Sequence, residues 1–126
     1  DREPERLAGE RERLIQGGYY SMPYQHYSYL ARGIYADQLC HWFSFFPREQ
    51  FLILSSEQFY AHTPQVLSQV FAFLGLPDYP LSAYTKYNQA QYADMNPATR
   101  ARLEAYFAPH NRALADLLDE DFGWDA

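Results

Sequence analysis

Apolar residues recur at helical spacing along most of this chain, and at one place they run together without a break. Tyr35, Leu39, Trp42 and Phe46 fall at i, i+4, i+7 and i+11, which predicts one apolar face of an α-helix. Pro47 ends that helix, because a proline pushes the residue before it out of the helical region. Phe51-Leu52-Ile53-Leu54 is then a run of strand length, apolar on both sides. A strand with one wet face alternates; a run like this suits a strand of a parallel sheet covered by helices on both faces. Ser55 with Gln58 fits the S-x-x-Q capping box that opens the next helix. It is the one good strand candidate in 126 residues. A lone strand leaves its backbone groups unpaired, so its partners are expected in a part of the protein outside this sequence.

Elsewhere the pattern is helical or irregular. Arg2 to Gln16 reads as one charged helix with a thin stripe of Leu7, Leu14 and Ile15, stopped by Gly17-Gly18. Tyr19 to Ala31 has no clean period and reads as a loop that carries His26. Thr63-Pro64 gives an N-cap and a first-turn proline. Leu67, Val70, Phe71 and Leu74 are the expected buried face of helix 64–74, which Gly75 closes. Tyr79 to Met95 is irregular, polar and rich in tyrosine, with Lys86, Asn88, Gln89 and Gln91 able to meet a phosphate. After Asn96-Pro97 a helix carries Leu103, Tyr106 and Phe107. Pro109 kinks or breaks it, and Leu114, Leu117 and Leu118 continue the face. Phe122 and Trp124 are expected against the core.

Composition narrows the class. A net charge of −6 argues against general nucleic-acid binding, which needs a basic surface. The charged start, DREPERLAGERERL, is unlike a signal peptide, and no apolar run approaches the length of a membrane span. A soluble protein of a reducing compartment, the cytoplasm, is expected. Cys40 is the single cysteine, placed beside aromatics, and is expected to be a small buried hydrophobe rather than a nucleophile. Twelve tyrosines, several between Tyr19 and Tyr35, suit a wet cleft or an interface.

No phosphate loop of the G-x-x-x-x-G-K-[ST] kind is present, nor a G-x-G-x-x-G fingerprint, a G-x-S-x-G elbow or a zinc-ligand spacing. The residues by themselves therefore outline no complete active site. His26 among tyrosines is the group best suited to take a proton near neutral pH, and it is equally suited to a structural hydrogen bond.

The order of four stretches adds a resemblance. RGIYADQL (32–39), FPREQFLIL (46–54), PQVLSQVFAFLGLP (64–77) and the segment from YADMNPATR (92–100) through YFAPHN (106–111) resemble the C-terminal half of a sulfotransferase. The likeness runs from about Arg2 to Trp124 and is to the heparan-sulfate N-sulfotransferase type and to bacterial sulfotransferases, including those within polyketide synthases. It implies an α/β fold with a parallel sheet related to nucleotide kinases, mostly helical here with one clear strand. It implies that residues 1–126 are a partial domain whose phosphate-loop half lies elsewhere, and that this stretch alone is inactive. The co-substrate it implies is 3′-phosphoadenosine 5′-phosphosulfate (PAPS), without a metal. The acceptor is a hydroxyl or amine on a small molecule, a carbohydrate or a carrier-bound chain.

Residue by residue, YADM (92–95) matches the end of the family's late loop over the 3′-phosphate. N-sulfotransferases carry Lys-Gly-Arg just before it; this chain has Asn88-Gln89-Ala90-Gln91, with Lys86 the nearest cation. Lys86, Asn88, Gln89, Gln91 and Tyr92 are thus the implied donor-binding residues. Tyr27, Tyr29, Arg32 and Tyr35 are implied on the acceptor side; His26 is the candidate base within this stretch, while in much of the family a carboxylate or histidine from the earlier half does that work. The missing Lys-Gly-Arg keeps a second expectation open, a non-catalytic sulfotransferase-like binding module.

Overall fold

A computed structural model describes residues 2–17, 20–85 and 92–124. The chain divides into two compact units, Asp1–His41 with Ala98–Ala126, and Trp42–Pro97.

The first unit begins with two short helices where one was expected: α1 (Glu3–Leu7) and α2 (Glu10–Gly17). Gly9 separates them at φ +73°, a conformation that glycine adopts without strain. The stretch expected as a loop holds two more, α3 (Met22–Tyr27) and α4 (Tyr29–Arg32). Ser21 starts α3: its Oγ accepts from the Tyr24 amide at 3.1 Å, and Pro23 lies in the first turn. Helix α5 (Tyr35–Phe43) follows, and α8 (Pro97–Leu118) returns late in the chain. Pro109 lies inside α8 without ending it.

The joints of this unit are polar. Glu3 is only 4% exposed, and its two oxygens accept from the amides of Leu30 and Ala31, both at 2.9 Å. Those amides belong to the first turn of α4, where helix donors have no partner within the helix. Glu10, also buried, accepts from the Ser21 hydroxyl and from Arg13 at 3.1 Å. Gln38 of α5 donates to the carbonyls of Arg32 and Ile34, both at 3.0 Å, and so ties α5 to the end of α4.

The second unit starts with aromatic packing. Phe51 meets Phe43 edge-on at 5.0 Å between ring centres, and the Arg48 guanidinium lies over Phe43 at 5.4 Å. Helices α6 (Ser56–Ala61) and α7 (Thr63–Phe73) pack on one another. Ser55 caps α6 as expected, accepting from the Gln58 amide at 3.1 Å. Thr63 does not cap α7; its hydroxyl donates back to the Phe59 carbonyl at 2.7 Å. Gly75, at φ +67°, closes α7: its amide meets the Ala72 carbonyl at 3.1 Å and the Leu76 amide meets that of Phe71 at 2.9 Å.

Several expectations are corrected. Among the described residues there is no strand, so the α/β fold with a parallel sheet is not what this chain shows. Phe51 has extended dihedrals, φ −117° and ψ 124°, but its polar groups are satisfied locally. Its amide bonds the Arg48 carbonyl at 3.1 Å and closes a 3-10 turn (Arg48–Gln50); its own carbonyl accepts from the Arg48 guanidinium at 2.9 Å. The run to Leu54 forms neither helix nor ladder; Phe51, Ile53 and Leu54 are half-buried and Leu52 is exposed. Helix α5 ends at Phe43 rather than at Pro47, and its buried face is turned. Ala36 is buried and Leu39 and Phe43 are half-buried, while Tyr35, Trp42 and Phe46 are exposed. Cys40 is exposed, not buried.

Gly33 is where α4 gives way to α5, and a side chain there has no room. A β-carbon would stand 2.6 and 2.7 Å from ring atoms of Phe107 on α8. Gly33→Ala is expected to lower stability by about 1–3 kcal/mol through forced repacking of that ring, read as an earlier midpoint in urea unfolding. An unchanged midpoint would show that Phe107 moves aside freely.

Candidate functional site

Two of the expected residues come from the last turn of α3. Its N-terminus is set by Ser21, which is buried between the Tyr24 amide and the Glu10 carboxylate. Its C-terminus is set by Ser28, also buried, whose hydroxyl donates to the Tyr24 carbonyl. Between these anchors His26 and Tyr27 stand exposed, with ring centres 6.4 Å apart.

Among the described residues His26 has one close polar partner, which the sequence reading did not single out. The Tyr20 hydroxyl lies 2.8 Å from His26 Nε2. Tyr20 precedes the capping serine, so the geometry that starts α3 also brings the phenol to the imidazole. The Arg6 guanidinium covers the Tyr27 ring at 5.8 Å and reaches the Tyr27 carbonyl at 3.3 Å. Arg32 folds back from α4, and its guanidinium donates to the Gln25 carbonyl. His26, Tyr27 and Arg32 are therefore held around one turn, with Tyr20 and Arg6 added.

The other expected residues lie apart from that turn. Tyr29 is exposed on α4. The Tyr35 ring is engaged by Trp124, 6.1 Å between centres, and Phe122 stacks on Trp124 at 5.0 Å. Tyr92, in the second unit, is 87% exposed in an irregular segment. Lys86, Asn88, Gln89 and Gln91 lie outside the described residues.

The first unit also has an open groove of about 830 Å³, lined mainly by Pro4, Leu7, Leu30, Ile34, Leu103 and Tyr106. None of the expected site residues lines it. Among the described residues no three His, Cys, Asp or Glu side chains are grouped to hold a metal ion, and no helix is long and apolar enough to cross a membrane.

The geometry gathers an imidazole, a phenol and two guanidiniums around α3, the guanidiniums bonded to its Gln25 and Tyr27 carbonyls. Comparison with known proteins gives the class. The chain is 34% identical over 95 residues to the membrane-associated sulfotransferase kil1 of Dictyostelium discoideum, covering 75% of this chain and 20% of that protein. It is 31% identical over 104 residues to mouse carbohydrate sulfotransferase 15, covering 73% and 18%. The chain is a sulfotransferase relative. It is also 25% identical over 117 residues to mouse heparan sulfate glucosamine 3-O-sulfotransferase 6, covering 74% of this chain and 34% of that one. It thus spans about a fifth to a third of the length of these curated relatives. No family model and no solved structure matches it. The broad resemblance read from the motifs is the one the comparisons find. Kil1, carbohydrate sulfotransferase 15 and 3-O-sulfotransferase 6 match the subtype suggested by the motifs only loosely.

Ser21 and Glu10 were missed as well. Ser21 had a signal, a serine two residues ahead of a proline. Glu10 had none, being one acid among several on a charged helix. Ser21→Ala removes the cap of α3 and one partner of a buried carboxylate. It is expected to cost about 1–2 kcal/mol and to speed hydrogen exchange at the Tyr24 amide. Unchanged exchange there would mean that α3 does not depend on this cap.

Proposed function

We propose that this chain is part of a sulfotransferase that moves a sulfonate group from PAPS to a hydroxyl or amine, with a carbohydrate as the favoured acceptor. The observation that carries the reading is the kinship itself: above 30% identity across roughly three quarters of the chain to proteins named for that reaction. The carbohydrate acceptor follows from the names of carbohydrate sulfotransferase 15 and heparan sulfate 3-O-sulfotransferase 6, and nothing in the fold contributes to it.

In this reading the two units have separate tasks. Lys86, Asn88, Gln89, Gln91 and Tyr92 contact the nucleotide part of the donor. Lys86 supplies the charge and the amides supply neutral donors. The turn of α3 and α4 serves the acceptor: Tyr27, Tyr29, Arg32 and Tyr35 contact it, and His26 takes the proton it loses. Sulfonate transfer resembles phosphoryl transfer in needing little covalent help from the protein. Positioning, proton removal and stabilisation of the leaving phosphate supply the rate. The phosphate loop that grips the sulfonate end of the donor would be supplied by sequence outside these 126 residues.

Two measurements on the full-length protein test this. Adenosine 3′,5′-bisphosphate is expected to bind in calorimetry, and Lys86→Ala to weaken it about 10- to 100-fold, the worth of one charge-assisted bond to phosphate. Absence of binding to the unaltered protein would refute the donor. His26→Gln is expected to lower kcat for sulfonate transfer about 100-fold or more, with nucleotide binding unchanged. Unchanged kcat would remove His26 from the chemistry.

A further inference from the structure

We propose that the groove of the first unit is a seat for another part of the same, longer polypeptide, which covers it with a row of apolar side chains. This rests on the reading of the chain as part of a sulfotransferase, and not on its donor or its base.

The walls of the groove come from α1 (Pro4, Leu7), the joint of α4 and α5 (Leu30, Ile34) and α8 (Leu103, Tyr106). They are pinned to one another. Glu3 holds α1 to α4 through the Leu30 and Ala31 amides, both at 2.9 Å. A β-carbon on Gly33 would stand 2.6 Å from the Phe107 ring, so α8 lies tight against the α4–α5 joint. The hollow of about 830 Å³ is thus shaped by bonds and contacts among its own walls.

The chemistry of those walls sorts the occupants. A carbohydrate buried there would leave hydroxyls facing hydrocarbon, which is costly. A nucleotide needs several donors for its phosphates, and among the described lining residues Arg102 is the one cation. Apolar side chains do fit. Leu7, Leu30, Ile34 and Leu103 are each only half-buried, so hydrocarbon on all four walls still meets water. The unit also needs the cover: among its described residues the buried hydrophobic side chains are Ala36 and Leu114. A unit this small has little stability to spare.

The source of the cover follows from length. The matched stretch is 20% of kil1, 18% of mouse carbohydrate sulfotransferase 15 and 34% of mouse 3-O-sulfotransferase 6, so most of each relative lies outside it. A segment of the same polypeptide competes for the groove at an effective concentration of about millimolar, which favours it over a second copy.

The test uses the full-length protein with Cys40→Ser as background. Ala31→Cys and Ala105→Cys place thiols on the groove, at small residues that are exposed in this stretch. Ala101→Cys, exposed on α8 and outside the groove, is the reference. Each variant is first matched to the unaltered protein in urea unfolding, and either groove thiol suffices. Maleimide labelling, read by peptide mapping, is expected to be about 10-fold or more slower at 31 and 105 than at 101, and equal at all three in urea. With p-benzoylphenylalanine in place of Tyr106, irradiation is expected to join position 106 to a residue of the same molecule outside 1–126. Equal labelling at all three positions in the folded protein would overturn the proposal, since the groove is then open. A cross-link between isotopically distinct molecules would overturn it in favour of a second copy, and a cross-link confined to residues 1–126 would overturn it as well. Adenosine 3′,5′-bisphosphate binding enters none of these readouts, so the donor is judged separately.

Discussion

Glu3 joins two parts of the chain that lie 27 and 28 residues apart, through one carboxylate and two amides. Helix α4 has only four residues, too few to persist by its own hydrogen bonds. What keeps it is an acid placed on its free N-terminal donors, where the backbone dipoles favour negative charge. Burying a carboxylate is costly unless its oxygens are bonded. Here each oxygen accepts from an amide that would otherwise lack a partner in the helix. Glu10, one helix later, instead holds the serine that caps α3 by accepting from its hydroxyl. These two acids fix the ends of α3 and α4, and His26 is carried on what they fix. The second unit has a different basis, the packing of Phe43, Phe46 and Phe51 with Arg48.

The late helices were legible because their signals are local. Gly75 past the end of α7, the serine before α6 and the proline opening α8 each act within one turn of where they stand. The helices at the start were less so. Glu3 and Glu10 look like the solvated acids of a charged helix, and their partners lie far along the chain or across a turn. The site was legible in the same measure: His26, Tyr27 and Arg32 do gather, since they lie within seven residues of one another. Tyr35 is drawn off by Trp124, a contact of high sequence separation that no pattern announces.

The apolar run at 51–54 shows why side-chain pattern and pairing are separate matters. Its residues suggest extended backbone and a partly sheltered setting: Phe51 has extended dihedrals, and Phe51, Ile53 and Leu54 are half-buried. A strand also needs a neighbour, and hydrophobicity carries no information about one. The Arg48 carbonyl and guanidinium answer both polar groups of Phe51, so this residue meets the rule against unpaired groups without a ladder. The step from an unbroken apolar run to a parallel sheet took apolarity on both sides as the mark of a strand between helices.

A helical period likewise states that one face is apolar without stating what lies against it. On α5 the stripe Tyr35, Leu39, Trp42 and Phe46 was read as the core face, yet the most enclosed residue is Ala36. The large rings stand outward. Among the described residues the buried hydrophobic side chains are small or medium, Ala36, Val66 and Leu114, while Trp42, Phe45, Tyr60 and Tyr79 are exposed. Side-chain size explains part of this: alanine fits where a tryptophan would have to push the backbone apart. It also bears on how function is read. Exposed aromatic rings are so common over this surface that exposure cannot single out a site. What distinguishes Tyr20 from the other exposed tyrosines is its 2.8 Å contact with the His26 imidazole, made just ahead of a helix whose two ends are tied down.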